Sequence, residues 1–99
     1  MEERKYYTYI LLTENNTFYC GYTDDIEKRY KKHVEGLGAK YTKANKPVSI
    51  AYLEKFATKS EAMKEEYRIK KLPRIAKENL VNSFAEILPE LYNFAKSIS

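Results

Sequence analysis

Residues 6 to 13, Tyr-Tyr-Thr-Tyr-Ile-Leu-Leu-Thr, are dominated by aromatic and β-branched side chains and read as a strand. Glu14-Asn15-Asn16 follows, and asparagine tolerates the left-handed backbone of a tight turn. Residues 17 to 22 then read as the returning strand. A hairpin closed by three residues fixes its own register: Thr13 faces Thr17, Leu11 faces Tyr19 and Tyr9 faces Gly21. Side chains two apart on a strand share a face. Tyr9 and Tyr19 are therefore expected to be diagonal neighbours on one face, with Gly21 leaving room beside them.

The rest of the chain supplies one more strand and several helices. Asp24-x-x-Glu27 is a capping-box variant that predicts a helix start, and Ile26, Tyr30, Val34 and Leu37 recur at helical spacing. Gly36 and Gly38 predict its end. Ala39 to Lys46 reads as a basic loop, and Pro47 opens a strand over Val48 to Phe56. Thr58-x-x-Glu61 starts a further helix, which Pro73 ends. A short helix is expected over Arg74 to Leu80. Ser83-x-x-Glu86 is read as the start of a last one, bent at Pro89, with Phe84, Ile87, Leu88, Leu91, Tyr92 and Ala95 as its apolar stripe. The order ββαβ followed by helices predicts an α/β (α+β) fold: a small three-stranded, mainly antiparallel sheet flanked by helices. The expected division is a domain over 1–82 and a helical extension over 83–99 packed on it.

Composition narrows the function. A chain of 99 residues supports one modest core. No stretch approaches the roughly 20 apolar residues that cross a bilayer, and Met1 to Lys5 lacks the apolar core of a signal peptide, so a cytoplasmic protein with no membrane association is expected. One cysteine, Cys20, and one histidine, His33, exclude an internal disulfide and a Cys/His zinc cage. Any metal must be held mainly by carboxylate, which points to a hard ion such as Mg²⁺. The net charge of +4 is compatible with an acidic partner without requiring one.

Three positions depart from simple amphipathic patterning. Ala62, Glu66 and Ile69 fall in one narrow sector of their helix, so Glu66 is a carboxylate on a core-facing stripe. It is either an ion-paired interruption of that stripe or a metal ligand at the edge of a cleft. His33 lies in the sector of Ile26, Tyr30 and Leu37, and Arg29 stands one turn before it. The pair is either a satisfied core histidine with a solvated neighbour or a phosphate-holding wall, because a guanidinium binds phosphate bidentately.

The order of these features resembles the GIY-YIG nuclease superfamily. Tyr7-Thr8-Tyr9 is followed by Tyr19-Cys20-Gly21-Tyr22-Thr23, then by Arg29 and His33 on a helix, then by Glu66 on a later helix. Gly38 to Thr42 and Ala62 to Lys70 are similar to segments of the small stand-alone bacterial members of that superfamily, long catalogued as uncharacterised. The resemblance covers about residues 5 to 82. Tyr7 stands where the name motif has glycine, and Cys20 where it has isoleucine. Tyr22 stands where some larger members carry a lysine that could aid deprotonation of a tyrosine.

The resemblance implies a metal-dependent endonuclease acting on DNA with low intrinsic sequence specificity. Glu66 would hold one Mg²⁺ or Mn²⁺, and Tyr19 would act as general base. Arg29 would stabilise charge on the phosphoryl oxygens, and Tyr9 and His33 would orient Tyr19, water or phosphate. Lys40, Tyr41, Lys43 and Lys46 would contact the nucleic acid. On this reading Tyr9, Tyr19, Arg29, His33 and Glu66 converge on one surface cleft, and a Glu66 on the opposite side of the sheet from Tyr19 would sink that site assignment. Two other readings stay open: a non-catalytic nucleic-acid-binding module, and an accessory protein that docks a protein partner through its tail helix.

Overall fold

The computed structural model describes residues 5–99. Strands β1 (Tyr6–Thr13), β2 (Phe18–Thr23) and β3 (Pro47–Phe56) form one antiparallel sheet in the order β2-β1-β3. The five helices are α1 (Ile26–Val34), α2 (Lys40–Ala44), α3 (Lys59–Lys70), α4 (Arg74–Ile87) and α5 (Pro89–Ile98).

The hairpin has the register its sequence predicts, with Tyr9 opposite Gly21 and Leu11 opposite Tyr19. Thr13 N–H donates to Thr17 O at 2.9 Å, and Asn16 supplies the turn's positive φ of 58°. Burial alternates accordingly. Tyr9 and Leu11 are buried on one face, and Thr8, Ile10 and Cys20 on the other. Helix α3 covers the Thr8 and Cys20 face: the Thr8 hydroxyl donates to Ala62 O at 2.7 Å, and Cys20 Sγ lies 3.9 Å from Glu66 O. Helix α1 covers the Tyr9 face, with Ile26, Tyr30 and His33 buried. At the β3 side Phe84 of α4 sits between the rings of Tyr52 and Tyr92, while Phe94 of α5 reaches Tyr7.

Several local readings need correction. The cap of α1 is Asp25, one residue later than expected: Asp25 Oδ1 accepts from Lys28 N–H, and Thr23 Oγ1 accepts from Asp25 N–H. The helix ends through Gly36, whose φ is 80°, with Leu37 N–H donating back to Lys32 O at 2.8 Å. Leu37 therefore lies beyond the helix and is 74% exposed, outside the stripe assigned to it. The basic loop is in fact the short helix α2 followed by Asn45 and Lys46. Ser83 is no cap, because its hydroxyl donates to the Asn79 and Leu80 carbonyls. Helix α4 therefore runs unbroken across residues 82 and 83, and Pro89 opens α5 instead of bending a longer helix. Ile87, placed on the apolar stripe, is 68% exposed. Among the described residues no helix is long and apolar enough to cross a membrane.

Candidate active site

The site is built around Tyr9, which β1 carries at the centre of the sheet. Its ring passes over Gly21, where an added Cβ would come within 2.6 Å of the Tyr9 hydroxyl. Only glycine leaves space for that ring in the paired strand. The hydroxyl meets His33 Nε2 at 2.8 Å, and the other ring nitrogen, Nδ1, meets Thr42 Oγ1 at 2.7 Å. Gly38 lies so close to the imidazole that a Cβ there would overlap it. His33 is wholly buried with both nitrogens satisfied. It is thus the satisfied core histidine and also the group that orients Tyr9.

The Tyr19 ring completes the cluster, 5.1 Å from that of His33 and 6.5 Å from that of Tyr9. Its outer side is stacked by Tyr41 at 6.0 Å with an 18° interplanar angle. The Tyr41 ring, expected to contact nucleic acid, therefore packs on the candidate base. Arg29 of α1 directs its guanidinium at the Tyr9 and Tyr19 hydroxyls. Its Nε is buried and has no hydrogen-bond partner. The residue as a whole is only half-buried and lines two surface depressions, so an anionic oxygen from solvent can meet the open part of the guanidinium.

Burial separates the roles of these groups. Tyr9 and His33 are closed to solvent and cannot touch a substrate, whereas Tyr19 and Arg29 are partly open. Burial raises the Tyr9 phenol well above its ordinary range, against the opposing pull of Arg29, so Tyr9 stays protonated. Burial, with the Arg29 cation adding to it, lowers His33 to about 4. His33 is therefore neutral near pH 7.

A pH dependence of stability follows. Between about 4 and the unfolded value near 6.5, the unfolded chain binds a proton at this position and the folded chain does not. Stability contributed by a neutral His33 is complete above pH 6.5 and is lost as pH falls toward 4, by roughly 3 kcal/mol in all. Urea denaturation of wild type and His33→Gln at pH 7 and pH 4.5 checks this. The wild type should lose more stability on acidification than the variant, and equal losses would contradict a buried neutral imidazole.

Glu66 is placed differently from the other four. The structure brings Tyr9, Tyr19, Arg29 and His33 together on one face. Glu66 rides on α3, which packs on the opposite face behind Cys20. The expectation of one cleft holding all five is corrected to this extent. Strand alternation sends Cys20 and Tyr19 to opposite sides of β2, and α3 follows Cys20. However, β2 is an edge strand, so the two sides meet at its rim. Arg29, Tyr22, Thr23 and Lys59 line one surface depression, and Lys59 also lines the neighbouring one that contains Glu66. The half-buried Glu66 carboxylate lies 3.4 Å from Lys70 Nζ. One residue earlier in α3, Arg68 clamps Glu65 with two 2.7 Å bonds, and within β3 Tyr52 donates to Glu54 at 2.8 Å. Among the described residues no group of three or more His, Cys, Asp or Glu side chains gathers into a metal cage.

The sequence reading missed Thr42 and Gly38 as parts of the site, although both lie in the Gly38 to Thr42 segment it singled out. It also missed Lys28 and Lys32, which flank Arg29 around a shared depression. Their spacing on α1 is that of a solvated helix face, which carries no separate signal. Lys40, Lys43 and Lys46 are exposed as expected.

A ββαβ sheet with two tyrosines held against an arginine and a histidine of the first helix is the architecture of a GIY-YIG catalytic domain, and the family model of that description matches residues 5–79. A UPF0213 protein of Bacillus velezensis is 51% identical over 81 residues, 82% of each chain. Another, of Oceanobacillus iheyensis, is 47% identical over 79 residues, 80% of this chain and 92% of its own. The solution NMR structure of the UPF0213 protein BH0048 from Bacillus halodurans superposes with a TM-score of 0.54 at 41% identity, covering 84% of this chain and 88% of that one. The chain belongs to the UPF0213 group of the GIY-YIG family, a nuclease superfamily.

Proposed function

We propose that this protein is a metal-dependent endonuclease that hydrolyses DNA phosphodiester bonds with low intrinsic sequence specificity. The observation that carries this reading is Arg29: a partly open guanidinium beside the Tyr19 hydroxyl that lines two surface depressions, one with Lys28 and Lys32 and one with Lys59. A phosphate in either depression would give the open part of the guanidinium acceptors and a countercharge together. Tyr19 acts as general base: as the phenolate it takes a proton from the attacking water and becomes the neutral phenol, while Arg29 stabilises the charge that builds on the phosphoryl oxygens. The exposed lysines of α1 and α2 hold the backbone on either side.

Glu66 fits a divalent metal in one specific manner. A single half-buried carboxylate suits Mg²⁺ or Mn²⁺, which keep most of their water and share their remaining positions with substrate phosphate. When bound, one such ion polarises the phosphate and neutralises the leaving oxygen. Lys70 neutralises the carboxylate otherwise.

A second reading has its own support. Glu66 lies across the edge strand and is paired to Lys70, and Tyr22 occupies the position of a lysine present in larger members. Both features suit a nucleic-acid-binding module that keeps the fold without cutting. The test is cleavage of single-stranded, duplex and branched DNA by the purified protein with Mg²⁺ or Mn²⁺. Metal-dependent products are expected. Salt-sensitive binding without products would overturn the enzyme reading and leave the binding module. In the same series, Lys40→Gln with Lys43→Gln should weaken binding. It should also reduce the slope of log affinity against log salt by up to about 2 on duplex DNA, since each lost phosphate contact removes about 0.9. An unchanged slope means these lysines are only solvated.

A further inference from the structure

The hydrogen bonds around His33 form one chain whose direction is set at its far end. Thr42 Oγ1 lies 3.2 Å from Ala39 O, to which it donates, and 2.7 Å from His33 Nδ1. A hydroxyl has a single proton. If that proton goes to the Ala39 carbonyl, which can only accept, Thr42 must accept from His33 and Nδ1 carries the hydrogen. A neutral imidazole then presents a bare Nε2, and the Tyr9 hydroxyl must donate to it across 2.8 Å. The Tyr9 oxygen is left with its lone pairs toward the Arg29 guanidinium. Reversing the chain would aim the Tyr9 proton at that cation.

We propose that Thr42 is a positioning residue: it fixes His33 as the Nδ1–H tautomer, commits Tyr9 to donation, and so holds Arg29 between the Tyr9 and Tyr19 oxygens. Its significance for turnover rests on the nuclease reading; the tautomer does not. Three features of α2 serve the same end. Thr42 is buried at 1% exposure on an otherwise exposed five-residue helix. Gly38, just before that helix, lets the imidazole approach, and Tyr41 stacks on Tyr19. The element expected only to contact nucleic acid thus also sets the proton order of the site. Among the described residues Tyr19 has no partner other than Arg29 for its hydroxyl, so its proton is the one left uncommitted.

Long-range ¹H–¹⁵N correlation of the imidazole at pH 7, in the full chain without metal or DNA, tests this. The chain's single histidine makes assignment direct. The wild type should show a protonated Nδ1 and an unprotonated Nε2. Thr42→Val, which keeps the shape and removes the hydroxyl, should move the tautomer toward Nε2–H, and Thr42→Ser should restore the wild-type pattern. In the cleavage assay Thr42→Val should lose roughly 10–100-fold in kcat, as for other outer partners of functional imidazoles, and Thr42→Ser should recover most of it. A wild type already in the Nε2–H form overturns the proposal, and does so even if the valine variant fails to fold. An unchanged tautomer in a folded Thr42→Val overturns it as well. A wild type that cuts nothing but shows the expected tautomer defeats the nuclease reading and leaves the proton order intact.

Discussion

Glu66→Ala is expected to abolish metal-dependent cleavage while leaving DNA binding intact or slightly stronger. The carboxylate is the candidate metal ligand and otherwise repels phosphate, so the substitution removes the ligand together with one negative charge. Loss of a single electrostatic contact to a developing charge costs on the order of 10²–10³ in rate, and loss of the ion itself should cost more. The fold should survive. The side-chain partner of Glu66 is Lys70 one turn on, and an ion pair of that kind is worth only about 0.3–0.5 kcal/mol. Ala62 and Ile69, which bury the same helix face, are untouched. Cleavage rates, DNA affinity and thermal melting should be read together. Retained cleavage in a folded Glu66→Ala would remove Glu66 from the chemistry. Lost cleavage with lost folding would show that the α3 stripe needs its carboxylate structurally.

Glu66 also shows where sequence reading reaches its limit. Helical phase correctly put it in the sector of Ala62 and Ile69, both buried. Phase says which side of a helix a residue occupies, but not which face of the sheet that helix covers. The face is set by the crossover after β3, and through Thr8 and Cys20 it proved to be the face away from Tyr19. The hairpin was far more legible. A period of two and a three-residue turn leave one register, and the Tyr9–Gly21 pairing followed from them alone. Thr42 was hidden for a different reason. A threonine among lysines reads as solvated, and only the return of α2 over His33 buries its hydroxyl. At the C-terminus Ser83 gave a false helix start, because a capping box and a mid-helix serine bonded to the preceding turn have the same local sequence.

Tyr19→Phe and Tyr9→Phe should separate the chemical role from the positioning role more sharply than any other pair. Both substitutions remove one oxygen and keep a ring. At Tyr19 the lost hydroxyl is partly open to solvent and faces Arg29. The phenylalanine ring still packs between Tyr41 and His33, so the melting temperature should change little. If Tyr19 is the general base, its loss should lower the rate by roughly 10²–10⁴-fold. At Tyr9 the oxygen is buried between His33 and Arg29. Its removal strands His33 Nε2 without a donor inside the protein, a defect costing about 1–3 kcal/mol. Tyr9→Phe should therefore lower both stability and activity, the activity because Arg29 loses one of its two oxygen partners. The two variants should thus differ in melting temperature, with both impaired in cleavage. A Tyr19→Phe protein that melts like wild type and still cuts at the wild-type rate would exclude Tyr19 as the base. Because Tyr9 is buried and held protonated, it could not then take over that role.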